Sequence, residues 1–461
     1  MSQRLPATAL DLAISCGRQN ASSMHIQMIV AVEGQVEIER LKKAVFLTIE
    51  AEPVLGCRFV DHPIRPYWEP QPTFSQKAFL ERYCCVVETT NPEAEVDVFL
   101  PVPLDPSTDP LIQVRVFRQL GNPQEIIVFK LCHLVGDAGG LLGYCKFLIG
   151  IYAKLALDPS YKPDTNTRSR GFDQISKQYS NKEKLQIVRS TIAALKRRDS
   201  VTNRCGFPNP SAPAEQRMYL RKEIPVEQVQ ALKSYGRKQG ATLNLVLLTA
   251  YFRSICKNIP LLGTGAVPLM STVDLRRYVP DAERDQIPLC NLSGVTTMYI
   301  NQEAPDKKPF TETLALVKEQ MKERKADYLG LLMVPLVLGL YGVLPYKLSQ
   351  RIAKNDFAKA KKNQTTAPVL TNAGEIPAED YEFGDVKLVN IYGAASVMYS
   401  PVFATSVTEF RKTVTLCTGF CQTLIPRATV EAIFNGVAEE LAGLAEGHLN
   451  ASKNAKKVVE A

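Results

Sequence analysis

Histidine is scarce. The 461 residues hold four: His25, His62, His133 and His448. They do not cluster, and His133 with Asp137 is too small a set for a metal, so no metal centre is expected. The chain also has no G-x-S-x-G nucleophile elbow, which argues against a serine hydrolase. Gly263-Thr264-Gly265 lacks the rest of either glycine fingerprint for nucleotide phosphates. A dominant charge is missing as well. The 55 Lys and Arg against 47 Asp and Glu leave +8, enough for an anionic ligand but too mild to indicate nucleic acid. Cysteine is not paired by number. The count is 11, scattered through sequence such as Leu131-Cys132 and Leu289-Cys290, as in free thiols of a reducing, cytoplasmic compartment. The N-terminal stretch has no long apolar core and is interrupted by Asp11, so it does not read as a signal peptide.

Long uncharged runs are equally rare. Tyr328 to Tyr346 is one, long enough in principle to cross a bilayer. Pro335, Pro345, Gly330, Gly339 and Gly342 interrupt it, and charged sequence flanks it. A buried or partly exposed apolar helix pair is therefore expected rather than a span, with lipid or a greasy substrate as an alternative contact. The composition, 45% hydrophobic and 22% charged, excludes a disordered tail, a collagen and a multi-span membrane protein. The length calls for two or three domains.

The pattern that is present alternates strands and helices. Met24–Val32 reads as a strand, Val36–Ala51 as a helix and Cys57–Val60 as a strand. Leu111–Phe117 and Ile126–Leu131 flank Gly121-Asn122-Pro123 and predict an antiparallel hairpin. Leu141–Leu155 reads as a buried helix. From Asp158 to about Ser211 no large core is visible. Strand and helix then alternate again, through Arg217–Ile224, Val226–Gln239, Leu243–Ile255 with Thr242 as its cap, and Val267–Val273. Leu292–Ile300, Phe310–Lys325, Pro368–Thr371, Val386–Ile391, Ala395–Met398, Phe403–Leu416 and Arg427–Leu444 complete the series. The expected division is 1–170, a connection over 171–211, and 212–461.

One histidine stands apart by its surroundings. His133 follows the carboxyl end of the Ile126–Leu131 run, Asp137 lies four residues on, and Gly136, Gly139 and Gly140 tighten the loop. A histidine so placed can turn its ring into a cleft. By itself the spacing is a weak signal, and a structural histidine fits it too.

Cys132-His133-Leu134-Val135-Gly136-Asp137-Ala138 resembles the HHxxxDG motif of condensation domains and related alcohol O-acyltransferases. Glu52–Phe59, Gly240–Asn244, Val273-Asp274-Leu275-Arg276 with Asn291–Gly294, and Thr371–Gly374 resemble further segments of that family, in the same order. The likeness runs over roughly residues 5–447. It departs at Cys132, where the family has a first histidine, and at Ala138, where it has glycine.

The resemblance implies an α/β fold of two chloramphenicol acetyltransferase-like lobes with a tunnel between them. It implies transfer of an acyl group from a thioester, on CoA or on the phosphopantetheine of an acyl carrier protein, to a hydroxyl acceptor. Amide formation on an amine acceptor and a catalytically silent binding protein are the alternatives. No bound cofactor is implied. His133 would be the general base, and Asp137 would pair with Arg276 to support the loop. Gly139, Gly140 and Asn372 would serve as oxyanion or tunnel residues.

Overall fold

Two large sheets carry the chain, beside a small three-stranded one in the order Leu5–Pro6, Tyr67–Pro70, Cys57–Val60. The computed structural model describes every residue except 1–3, 19–20, 72–80, 201–202, 209–212, 302, 365, 385 and 460–461. The expected boundary at 211–212 lies outside the described residues.

The first sheet is five-stranded, in the order Lys387–Ala394, His25–Glu33, Gln124–Cys132, Ile112–Arg118, Cys84–Glu88. Its centre is the hairpin expected around Asn122, with Phe117 opposite Ile126. The central strand is buried from Glu125 to Cys132, so it reads as a continuous apolar run instead of an alternating one. Lys130 is the exception inside it. Its ammonium donates to the carbonyls of Val102, at 2.9 Å, and Phe99, and so caps the end of the Pro92–Phe99 helix. Burial, with Arg115 nearby, pushes Lys130 down to about 7.

Helices Ile38–Ala51 and Ala138–Leu157 cover this sheet. The latter is the one described helix long and apolar enough to cross a membrane, but it is a core element. Leu141, Tyr144, Cys145, Leu148, Ile151, Tyr152 and Leu155 are buried at helical spacing.

The second sheet is seven-stranded and mixed. Val369–Ile376 runs parallel to both Val267–Asp274 and Ala404–Phe410. The run Phe403–Leu416, read as one strand, is two: Ala404–Phe410 and Thr413–Cys421 form a hairpin. Arg411 and Lys412 make its turn in the left-handed region, at φ 45° and 66°, although neither is a turn-forming residue. Helices Val226–Lys238, Leu243–Asn258 and Arg427–Val459 lie on this sheet. Thr242 occupies the N-cap of Leu243–Asn258, but its hydroxyl makes no capping bond.

Two features bear on how the chain divides. Residues 171–211 are not a bare connection: Ile175, Ile187, Cys205 and Phe207 are buried in the second core. The first sheet is completed from the far half of the sequence, because Lys387–Ala394 pairs antiparallel with His25–Glu33. The chain then continues into Val397–Met398, a strand of the second sheet.

The apolar stretch 328–346 is neither a span nor a pair of helices. Its first part is a buried turn at Leu329, Leu331 and Leu332. A ten-residue helix, Val334–Val343, follows; it ends in a wide π turn and stays partly exposed.

Candidate active site between the lobes

His133 leaves the central strand just after the ladder ends. Its N–H donates to Met24 O at 3.0 Å, and Val135 N–H donates to Cys132 O at 3.1 Å. These bonds turn the chain and bring Asp137 to the N-cap of Ala138–Leu157. Leu134, Val135, Gly136 and Asp137 are buried, whereas His133 is half-buried. Its Nδ1 is buried without a hydrogen-bond partner among the described residues. No side chain therefore holds one tautomer of the ring.

Asp137 is fully engaged elsewhere. Its Oδ1 accepts from Gly140 N–H at 2.8 Å and from Arg276 Nη1 at 2.9 Å. Its Oδ2 accepts from Leu292 N–H at 2.6 Å and Ser293 Oγ at 2.8 Å. Burial favours the neutral acid, but the Arg276 guanidinium and these bonds outweigh it and hold the carboxyl below its usual range. Arg276 also donates to Cys290 O at 2.8 Å and to Asp274 at 3.1 Å. The pair thus joins the two lobes.

Gly139 and Gly140 fit beneath this pair. A Cβ on Gly139 would stand 2.7 Å from Arg276 Nη1 and from Asp274 Oδ2; one on Gly140 would stand 3.0 Å from Cys290 O. Gly136 is also required, since a Cβ there would lie 2.7 Å from Leu289. The expectation that Gly140 offers an oxyanion donor is corrected here, because its N–H is committed to Asp137. Ala138 is exposed, so its methyl group does not crowd the loop.

Cys132 is buried and faces His25 across the strand pair. Burial pushes its thiol up to about 12, so it is a packing residue, not a thiolate. Asn372 sits in the second sheet. Its amide donates to Asn244 Oδ1 at 2.8 Å, its own oxygen accepts from Gly374 N–H at 2.8 Å, and neither of these bonds reaches His133.

A second buried pair was not foreseen. Asp11, fully buried, accepts from Arg170 Nη1 at 3.0 Å, Trp68 Nε1 at 3.2 Å and Asn291 Nδ2 at 3.2 Å. Arg170 continues to Val135 O at 3.1 Å and Leu289 O at 2.8 Å, and Asn291 reaches Leu134 O at 2.9 Å. The carbonyls on the loop after His133 are thereby held by Arg170 and Asn291. Asp11 and Arg170 are 159 positions apart, and no local pattern marks either.

A cavity of about 510 Å³ lies beside this network. Leu5–Leu10, Glu52–Val54 and 166–172 wall it, while His133, Asp137 and Asn372 do not. Arg170 is the shared wall. Glu52 faces the cavity, accepts from Leu289 N–H at 3.1 Å and Asn166 Nδ2 at 3.2 Å, and is pushed up to about 7 by burial against those bonds. No group of three or more His, Cys, Asp or Glu that could hold a metal occurs among the described residues.

Solved structures share this architecture. The first condensation domain of the calcium-dependent antibiotic synthetase, in complex with a substrate analogue, superposes with a TM-score of 0.68 at 14% identity, covering 96% of this chain and 97% of that one. The trichothecene 15-O-acetyltransferase TRI3 from Fusarium sporotrichioides gives 0.68 at 12%, covering 96% and 95%. Polyketide synthase associated protein 5 from Mycobacterium tuberculosis gives 0.65 at 13%, covering 96% and 100%. No family model and no curated protein sequence matches the chain. The chain therefore has the two-lobed fold that these condensation-domain and acetyltransferase structures share.

Proposed function

We propose that the chain is a stand-alone acyltransferase that moves an acyl group from a thioester, on CoA or an acyl carrier protein, to a hydroxyl acceptor. The observation that carries this reading is the half-buried His133, on a loop held between the lobes by two buried Asp–Arg pairs that make no bond to its ring. Such rigidity suits a positioned base.

In this reading His133 Nε2 takes the hydroxyl proton as the acceptor oxygen bonds to the thioester carbonyl carbon. The tetrahedral intermediate then collapses, the C–S bond breaks, and the imidazolium returns the proton to the thiolate. A general base of this kind contributes roughly 10²–10⁴-fold. Gly139 N–H, in the first turn of the Ala138–Leu157 helix, is the remaining candidate of the two glycines for the oxyanion. Asn372 would line the tunnel near the reaction centre. Asp137 and Arg276 position the loop and take no part in proton transfer.

A second reading is amide formation on an amine acceptor with carrier-protein substrates, supported by the equally similar condensation domain. The test is thiol release from a panel of acyl-CoAs with alcohols and amines, with His133→Ala beside wild type. Acceptor-dependent release that falls at least about 100-fold in the variant supports the proposal. Equal release from both proteins refutes the role of His133. Preference for amines or for carrier-bound donors selects the second reading.

A further inference from the structure

The surface between the Val334–Val343 helix and the next helix, Tyr346–Asn363, combines two properties seldom found together without purpose. Val343, Ile64, Leu348 and Leu336 are 40 to 69% exposed. Hydrogen bonds between their segments bring Val343 and Ile64 together, and Leu336 and Leu348 lie on the two flanking helices. Arg65 donates to Leu344 O and Val343 O, each at 2.8 Å, Tyr346 N–H donates to Ile64 O at 3.1 Å, and Lys347 N–H to Pro63 O at 2.9 Å. The inner side of the same segment is anchored, since Tyr346 is buried with its hydroxyl on Ser15 at 2.8 Å.

The second property is charge. Tyr346, Ser349 and Ala353 face inward, while Lys347, Arg351, Lys354, Lys359 and Lys362 are exposed on the outer side. None of these five forms an ion pair among the described residues, although the protein makes twenty elsewhere. Asp356 is the acidic residue on the helix, and Asp61 is the one near Tyr346, so cations outnumber anions on this face.

We propose that this face is a docking surface for an anionic phospholipid bilayer. The apolar side chains would enter the interfacial region, and the basic side chains would rest against lipid phosphates and carboxylates. The geometry fits lying on a membrane and not crossing it: a ten-residue helix reaches about 15 Å, half the hydrocarbon thickness. Basic charge beside exposed aliphatic side chains is the combination that binds such surfaces.

The experiment is co-sedimentation of the full chain with phosphatidylcholine vesicles, with and without phosphatidylserine, at low and raised salt. Binding is expected only to the phosphatidylserine vesicles and weakens with salt. The triple variant Lys347→Glu, Arg351→Glu, Lys354→Glu should bind at least about 100-fold more weakly. Val343→Asp should lose about tenfold or more while melting like wild type, because that side chain is exposed. Absence of binding by wild type overturns the proposal, as does unaltered binding by the triple variant or by Val343→Asp. So does lysine-dependent capture of an acidic carrier protein without vesicle binding, which would assign the face to a protein.

Discussion

Replacing Arg276 by alanine tests the interlobe latch where its energetics are most exposed. The substitution leaves the Asp137 carboxylate buried with Gly140 N–H, Leu292 N–H and Ser293 Oγ but without its counter-ion, and it orphans Cys290 O. Breaking one side of a buried pair costs about 3–5 kcal/mol. The three surviving bonds place the carboxylate's share near the lower end, and the orphaned carbonyl adds about 1 kcal/mol. A loss of roughly 4 kcal/mol follows, with a fall in melting temperature on the order of 5 °C or more. The effect has a pH signature. In wild type the Asp137 pKa is held below its unfolded value, so its stabilisation is present above about pH 4 and is lost below it. In the variant burial is opposed only by the three surviving hydrogen bonds, so that pKa rises relative to wild type and less of the stabilisation from ionised Asp137 remains. The gap between the two proteins should widen as pH rises from below about 4 towards neutrality. Asp137→Asn should cost less, because Arg276 retains Asp274 and Cys290 O. Urea denaturation of the three proteins at both ends of that range measures the gap. A penalty under about 1 kcal/mol at neutral pH, or one that does not change with pH, refutes the latch.

Gly143→Ala should raise stability by about 0.5–1 kcal/mol, since nothing lies within 4 Å of its Cβ in a helix interior, whereas Gly140→Ala should lower it by about 1–3 kcal/mol; paired urea titrations check both signs. Glu52 is raised to about 7, so the native state holds its proton more tightly than the unfolded chain. Stability from this group is present below about pH 4.5 and lost as pH rises towards 7, and Glu52→Gln should flatten that slope in melts across the range. A thiol reagent should modify at most Cys85 and Cys256 in the native protein, the two cysteines that are not buried, and all 11 after unfolding.

The elements with strong periodicity were legible from the sequence, and the partners of those elements were not. The run from Ile126 to Leu131 announces a central strand even with Lys130 inside it, because one buried lysine with two carbonyl acceptors does not break the apolar pattern. The strand near Val386–Ile391 was visible, but its pairing with His25–Glu33 joins residues more than 350 positions apart and leaves no local trace. The hairpin turn at Arg411 and Lys412 was missed because charged residues there adopt a conformation that glycine or asparagine usually signals. In the site, the Asp137–Arg276 pair was approached through resemblance alone, and spacing would not have suggested it. Asp11 and Arg170, which also hold this loop, had neither a motif nor a period to betray them.

The strand Lys387–Ala394 enters the first sheet from the second-sheet strand Val369–Ile376 and returns to the second sheet at Val397–Met398, so with 158–211 the chain crosses between the lobes three times. Bodies joined by three crossings cannot swing apart like a door on a single hinge, so any change in the gap between them has to come from small rocking within the limits that the crossings set.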